Sequence, residues 1–228
     1  MTINDFASTQ SESQDTDAQR IRVWDPLVRL FHWSLVCAFA TAWLTAEDIQ
    51  PVHQLAGYAV AGLVGLRVIW GLVGSRYARF TQFVRGPAQT LSYIGDMVAG
   101  RERRYLGHNP AGAAMVVAIL VTLTGTAFTG WLLEAPDRAA AAVGQVQIVT
   151  PAFADNDGNE AEAGTGGDLE RRTGSPLKEV HETLANLMLL LVALHVGGVA
   201  LASFRHRENL VRAMVTGRKR PPTPGDIV

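Results

Sequence analysis

The sequence predicts an all-α fold: an integral membrane four-helix bundle. Three observations carry the prediction. Residues 30–46, 49–66, 105–133 and 183–204 contain no Asp, Glu, Lys or Arg. Each is about as long as the roughly 20-residue helix that crosses a bilayer core. A soluble four-helix bundle would show a charged face on each helix, and these runs have none. Finally, sixteen of the twenty basic residues fall before the first run, between the second and third, or after the fourth. That alternation is what the positive-inside rule produces, with both termini cytoplasmic and the other two connections outside.

Each helix start is punctuated. Asp25-Pro26, Gln50-Pro51, Asn109-Pro110 and Ser175-Pro176 precede the apolar runs. Asp, Asn and Ser cap helix starts, and Pro is tolerated in the first turn. The helices are therefore expected near 26–46, 51–73, 110–133 and 177–204. Ahead of them, residues 1–20 are polar and acidic, with neither the basic nor the apolar part of a signal peptide, and read as a disordered cytoplasmic tail. Residues 86–100 and 206–217 carry spaced apolar residues beside arginines. They read either as helices on the inner membrane surface or as ordinary loop helices. Residues 135–175, rich in Gly, Ala, Asp and Glu, read as an acidic outward-facing loop. It is either a flexible connection or a docking surface for a redox partner. Residues 221–228 form a C-terminal tail.

Composition excludes several functions. Charged residues are 18% of the chain and hydrophobic residues 48%, which is apolar for a soluble domain. A formal net charge of −1 gives no global basic excess for nucleic acid. The single cysteine, Cys37, excludes an internal disulfide and any Cys-clustered metal site. No nucleophile–base pair, phosphate-binding glycine loop or covalent haem motif is present.

The chemistry lies in the histidines. His32, His53, His181 and His195 fall within or at the ends of the predicted membrane helices. Polar groups at membrane depth are expensive and usually functional. His32 and His195 lie at comparable depth toward the cytoplasmic side, and His53 and His181 lie at the outer starts of their helices. His181 and His195 are fourteen residues apart, close to four full turns, so they share a face roughly 21 Å apart along the axis. Leu184, Met188 and Val192 lie between them on that face. Two imidazoles on facing helices, twice, match the axial ligands of two b-type haems. Zinc or copper would need further ligands, since two histidines make a poor closed site. Proton relay through the histidines is the other reading, and with it a haem-free transporter or channel. Arg29 and Arg67 stand at the inner ends of the first two helices, either as haem-propionate partners or as headgroup anchors. Gly57, Gly62, Gly65, Gly125 and Gly130 supply room for a macrocycle or for close helix packing.

Several segments carry a resemblance. RVWDPLVRLFHWSLV around His32, RVIWGLVGSRYARFTQFVRGP at 67–87, YLGHNP at 105–110, VHETLANLMLLLVALH at 180–195 and HRENLVRAMVTGRK at 206–219 resemble the bacterial cytochrome b561 and nickel-hydrogenase b-type cytochrome family. The likeness spans about residues 21–220, apart from the acidic loop. It implies a cytochrome b561-type domain of the cell inner membrane, with two b-type haems on His32, His53, His181 and His195. It implies electron exchange with quinone and with a redox protein, either a hydrogenase-like subunit or a soluble cytochrome. An oxidoreductase role, as subunit or as stand-alone quinone oxidoreductase, follows from the same resemblance. His108 belongs to one of these motifs and reads as structural; His206 reads as a surface residue.

Overall fold

The computed structural model describes residues 20–135 and 167–227. The acidic stretch 136–166 and the N-terminal tail lie outside the described residues. The elements are β1 (Ile21–Arg22), α1 (Pro26–Leu44), α2 (Gln50–Val73), α3 (Phe80–Phe83), α4 (Pro87–Val98), α5 (Pro110–Leu133), α6 (Gly167–Arg205), α7 (Leu210–Thr216) and β2 (Arg218–Lys219).

Among the described residues four helices are long and apolar enough to cross a membrane: α1, α2, α5 and the Pro176–Arg205 part of α6, with mean hydropathy 1.4, 1.7, 2.0 and 2.3. Their starts follow the local chemistry. Asp25 accepts from Val28 N–H at 2.8 Å and Asn109 from Gly112 N–H at 2.6 Å, each satisfying a first-turn donor. Large apolar side chains such as Leu30, Leu44, Leu55 and Val73 face outward, as lipid contact requires.

Helix α6 departs from the expected start near 177. It already begins at Gly167 and carries Pro176 within it. The run Asp-Leu-Glu-Arg-Arg at 168–172 contains good helix formers. They extend the helix backwards past a proline that the sequence reading takes as its first turn. Residues 167–175 are therefore helical, not loop.

Close packing joins α1 to α2, α2 to α5, and α5 to α6. One apolar cluster fills the middle of the bundle: Val60, Val64, Leu120, Leu123 and Met188, with Phe39 and Val192 against it. Cys37 is exposed on α1 and takes no part.

The chain ends meet at one end of the bundle. Strand β1 pairs antiparallel with β2, so the segments entering α1 and leaving α6 lie on the same side of the membrane. Gly217 closes α7 in the left-handed conformation, φ 78°. Its carbonyl accepts from the N–H groups of Val23 and Trp24 at 2.9 and 3.2 Å. A Cβ there would lie 2.7 Å from the Trp24 carbonyl, so both shape and φ require glycine. A second core of Val23, Trp24, Val28, Ala78 and Leu106 lies under this strand pair.

Residues 221–227, which read as a separate tail, pack back onto this cap. Ile227 N–H donates to Arg104 C=O at 2.9 Å, and Leu106 N–H to Ile227 C=O at 3.0 Å. Arg104 is buried, with ion pairs of 2.9 Å to Glu208 and 2.6 Å to Asp226.

Lys219 is 5% exposed and donates to the Leu106 carbonyl at 2.9 Å. Burial pushes its ammonium down to about 8, against an attraction from Glu208. The folded chain thus releases this proton before the unfolded chain does, whose lysine titrates near 10.4. Stability should therefore rise with pH from about 8 to 10.5, by about 3 kcal/mol from this group. Thermal denaturation of wild type and Lys219→Met across that range checks it. The two curves should diverge in favour of wild type as pH rises, and a constant difference would contradict the assignment.

Candidate functional site

The bundle brings the four membrane histidines together in two facing pairs. His32 on α1 faces His195 on α6 with ring centroids 6.4 Å apart. His53 on α2 faces His181 on α6 at 6.2 Å. Each ring is half-buried. Across these gaps α6 reaches α1 and α2 through imidazoles.

The pair nearer the 44–50 connection is oriented by backbone. His53 Nδ1 lies 2.8 Å from the Ala42 carbonyl. His181 Nδ1 lies 3.0 Å from both the Thr126 carbonyl and Thr129 Oγ1. A Nδ1–H donated to a carbonyl leaves Nε2 as the free lone-pair donor, the usual preparation of a metal-binding imidazole. At the other pair, His32 Nδ1 is buried with no partner among the described residues.

Thr126 and Thr129 were not singled out in the sequence. The available signal was Thr122, Thr126 and Thr129 at helical spacing on one face of α5. Thr126 Oγ1 in turn donates to the Thr122 carbonyl at 2.9 Å.

The glycines separate into two kinds. On α5, a Cβ at Gly130 would lie 3.1 Å from His181 Cε1, and one at Gly125 would lie 3.2 Å from Leu184 Cδ1. They let α6 approach closely. On α2, a Cβ at Gly57, Gly62 or Gly65 would meet nothing within 4 Å. Gly57 is one turn from His53, beside open space.

Between the two pairs stands the apolar cluster of Val60, Val64, Leu120, Leu123 and Met188. Met188 is 3% exposed and lies on α6 between its two histidines.

The two arginines differ. Arg67 is 6% exposed; Nη2 donates to the Ala78 carbonyl at 3.2 Å, and the guanidinium stands 4.9 Å from the Phe80 ring centroid. Its Nη1 is buried with no partner among the described residues. Arg29 instead turns toward α7, donating from Nη1 to the Val215 carbonyl at 2.5 Å.

His108 lies 4.7 Å from Trp24 and 4.5 Å from Phe83, ring to ring. Burial, then the cations Arg67 and Lys219, push its imidazole down to about 3. It is a neutral, aromatic-packed residue beside Arg67.

A bis-imidazole metal fits the observed pair geometry. Two metal–nitrogen bonds of about 2.0 Å, plus about 1.1 Å from each nitrogen to its ring centre, place the centroids about 6.2 Å apart. The observed separations are 6.4 and 6.2 Å. Among the described residues no group of three or more His, Cys, Asp or Glu gathers as a metal site, so the donor set is paired imidazole alone. This is the donor set of a six-coordinate haem and not of a closed zinc site.

A membrane-spanning helical bundle with such facing histidines defines the class of membrane b-type cytochromes, which transfer electrons. The chain belongs to the prokaryotic cytochrome b561 family, whose model matches residues 23–217. The family implies b-type haem. Neither a curated relative nor a solved structure matches the chain.

Proposed function

We propose that this protein is a di-haem cytochrome of the bacterial inner membrane, transferring electrons between the quinone pool and a periplasmic or membrane-bound redox partner. The observation that carries the reading is the pair of facing imidazoles repeated at two depths, 6.4 and 6.2 Å apart. Bound haem supplies reversible one-electron chemistry at a potential that its axial ligands and burial tune. His32 and His195 hold the group nearer the chain termini, and His53 and His181 hold the other. The carbonyls of Ala42 and Thr126 hold the second pair's rings in orientation. Arg67, whose buried Nη1 has no partner among the described residues, is the stronger candidate to meet a propionate; Arg29, aimed at α7, is the weaker.

Sixteen of the twenty basic residues fall in the terminal segments and the connection between α2 and α5, a distribution that supports cytoplasmic termini by the positive-inside rule. The outer partner then meets the side bearing the acidic stretch 135–175. Acidity of that kind steers a basic partner electrostatically.

The test is reconstitution. The protein is purified with its haem, incorporated into liposomes and oxidised. Addition of a quinol should produce the absorption bands of reduced b-type haem for both groups. A correctly folded, colourless protein would favour the haem-free transporter reading, and haem that quinol leaves oxidised would remove the quinone link.

A further inference from the structure

We propose that an arginine-lined cavity at the terminal end of the bundle binds the phosphate group of an anionic phospholipid. The cavity has a volume of about 310 Å³, and Arg20, Arg22, Arg29, Arg212 and Arg218 line it. Three parts of the chain contribute: the segment through β1, the first turn of α1, and α7 with β2. The rest of the wall is Pro26 and Thr216, so among the described residues no carboxylate lines it.

Arg22, Arg29, Arg212 and Arg218 bring like charges together around one cavity, and like charges repel. Arg22 and Arg218 stand directly opposite each other in the two-stranded ladder. Like charges in that register weaken a strand pair. Arg29 adds a second oddity. Its Nη1 is bound to the Val215 carbonyl, while its Nε is buried with no partner among the described residues. A buried donor left without an acceptor costs free energy. An anion with several acceptor oxygens relieves the crowding of charge and brings a counter-charge to Arg29, which lines the cavity. The planar guanidinium fork matches phosphate oxygens in charge and geometry.

The backbone beneath the cavity is held by hydrogen bonds. The Gly217 carbonyl ties β1 to the end of α7, and a Cβ on Gly217 would lie 3.2 Å from Arg29 Nε. Arg29 is thereby packed in place.

Location selects lipid over a soluble phosphate compound. Pro26 is the first residue of a membrane-spanning helix, so the cavity lies at the level where the chain enters the headgroup layer. Basic pockets at that depth are suited to anionic lipid headgroups. The inference is independent of haem.

The test is native mass spectrometry of the haem-loaded protein released from detergent micelles containing phosphatidylglycerol or phosphatidylcholine. Wild type should retain phosphatidylglycerol in preference to phosphatidylcholine by at least about tenfold. Arg22→Gln/Arg212→Gln/Arg218→Gln should lose that preference, whereas Arg76→Gln/Arg85→Gln, which removes exposed charge elsewhere, should keep it. Circular dichroism reports whether the triple variant folds. If it does not, the three single variants carry the test, each expected to lower retention about fivefold. Lipid-free protein is also titrated with inorganic pyrophosphate. Pyrophosphate binding that the arginine variants abolish, without any phosphatidylglycerol preference, would assign the site to a soluble phosphate and overturn the lipid reading. Retention unchanged in the variants, or no preference in wild type, would overturn the site itself.

Discussion

Replacing His195 with Leu is expected to remove one haem or change its spin state, and to leave the other with its wild-type reduced spectrum. The expectation rests on the proposed ligand pairing. His195 faces His32 at 6.4 Å, and His181 faces His53 at 6.2 Å. Leu has a similar bulk to His but no lone pair, so the helix can keep its packing while losing the donor. His32→Leu should reproduce the His195→Leu spectrum. His53→Leu and His181→Leu should share a second, different one. The effect is large because a six-coordinate group that loses one axial donor loses the group or changes spin state. Haem stoichiometry, low-temperature reduced spectra and electron paramagnetic resonance of the four variants decide it. The pairing is wrong if His32→Leu matches His53→Leu, or if wild type holds a single haem.

Replacing Arg104 with Leu should destabilise the cap by about 3–5 kcal/mol. The side chain is 4% exposed, and its guanidinium bridges Glu208 at 2.9 Å and Asp226 at 2.6 Å. Its Nη2 also donates to the Arg220 carbonyl at 3.1 Å. Removing it takes the bridging cation from two carboxylates whose side chains are 9% and 8% exposed, leaving Lys219 to act on Glu208. Thermal melting should fall by about 10 °C, and hydrogen exchange should loosen first at residues 218–227.

The pH dependence distinguishes this cause from simple cavity formation. Burial raises the Asp226 carboxyl, but hydrogen bonds from Thr223 and from Arg104 outweigh it and hold the group below its ordinary value. A depressed folded pKa gives stability above the unfolded value, near 3.9, and loses it as pH falls through the folded one. Wild type should therefore weaken on acidification through that window more than Arg104→Leu does. Restoring neutrality with Glu208→Gln/Asp226→Asn on the Arg104→Leu background should recover much of the melting temperature. A loss of under about 2 °C in the single variant would show that the pair contributes little.

The membrane helices and the depth of each histidine were legible in the sequence. A charge-free run, an Asn-Pro or Asp-Pro start and a fourteen-residue interval are each properties of one segment read alone. The start of α6 was not, because proline favours the first turn and costs about 3 kcal/mol inside a helix, so the local signal at Pro176 points to a start that the folded chain does not use. Nor were the partners of the imidazoles. Ala42 and Thr126 act through backbone carbonyls, and a backbone carbonyl leaves no trace in residue identity.

Sequence by itself determined that this chain spans a membrane four times and places two histidines on one face of its last helix. Those outcomes follow from local hydropathy and helical period, which need no knowledge of neighbouring helices. The same local reading puts His32 level with His195 and His53 level with His181; only the tertiary structure decided how closely the rings of each pair approach, which glycines admit a helix and which border open space, and that Arg67 is buried while Arg29 turns to α7. It also decided that residues 221–227 return to Arg104 and that five arginines share one cavity. Each of these depends on contacts between segments far apart in the chain. Such contacts are set by packing the whole bundle at once, and no single segment encodes them.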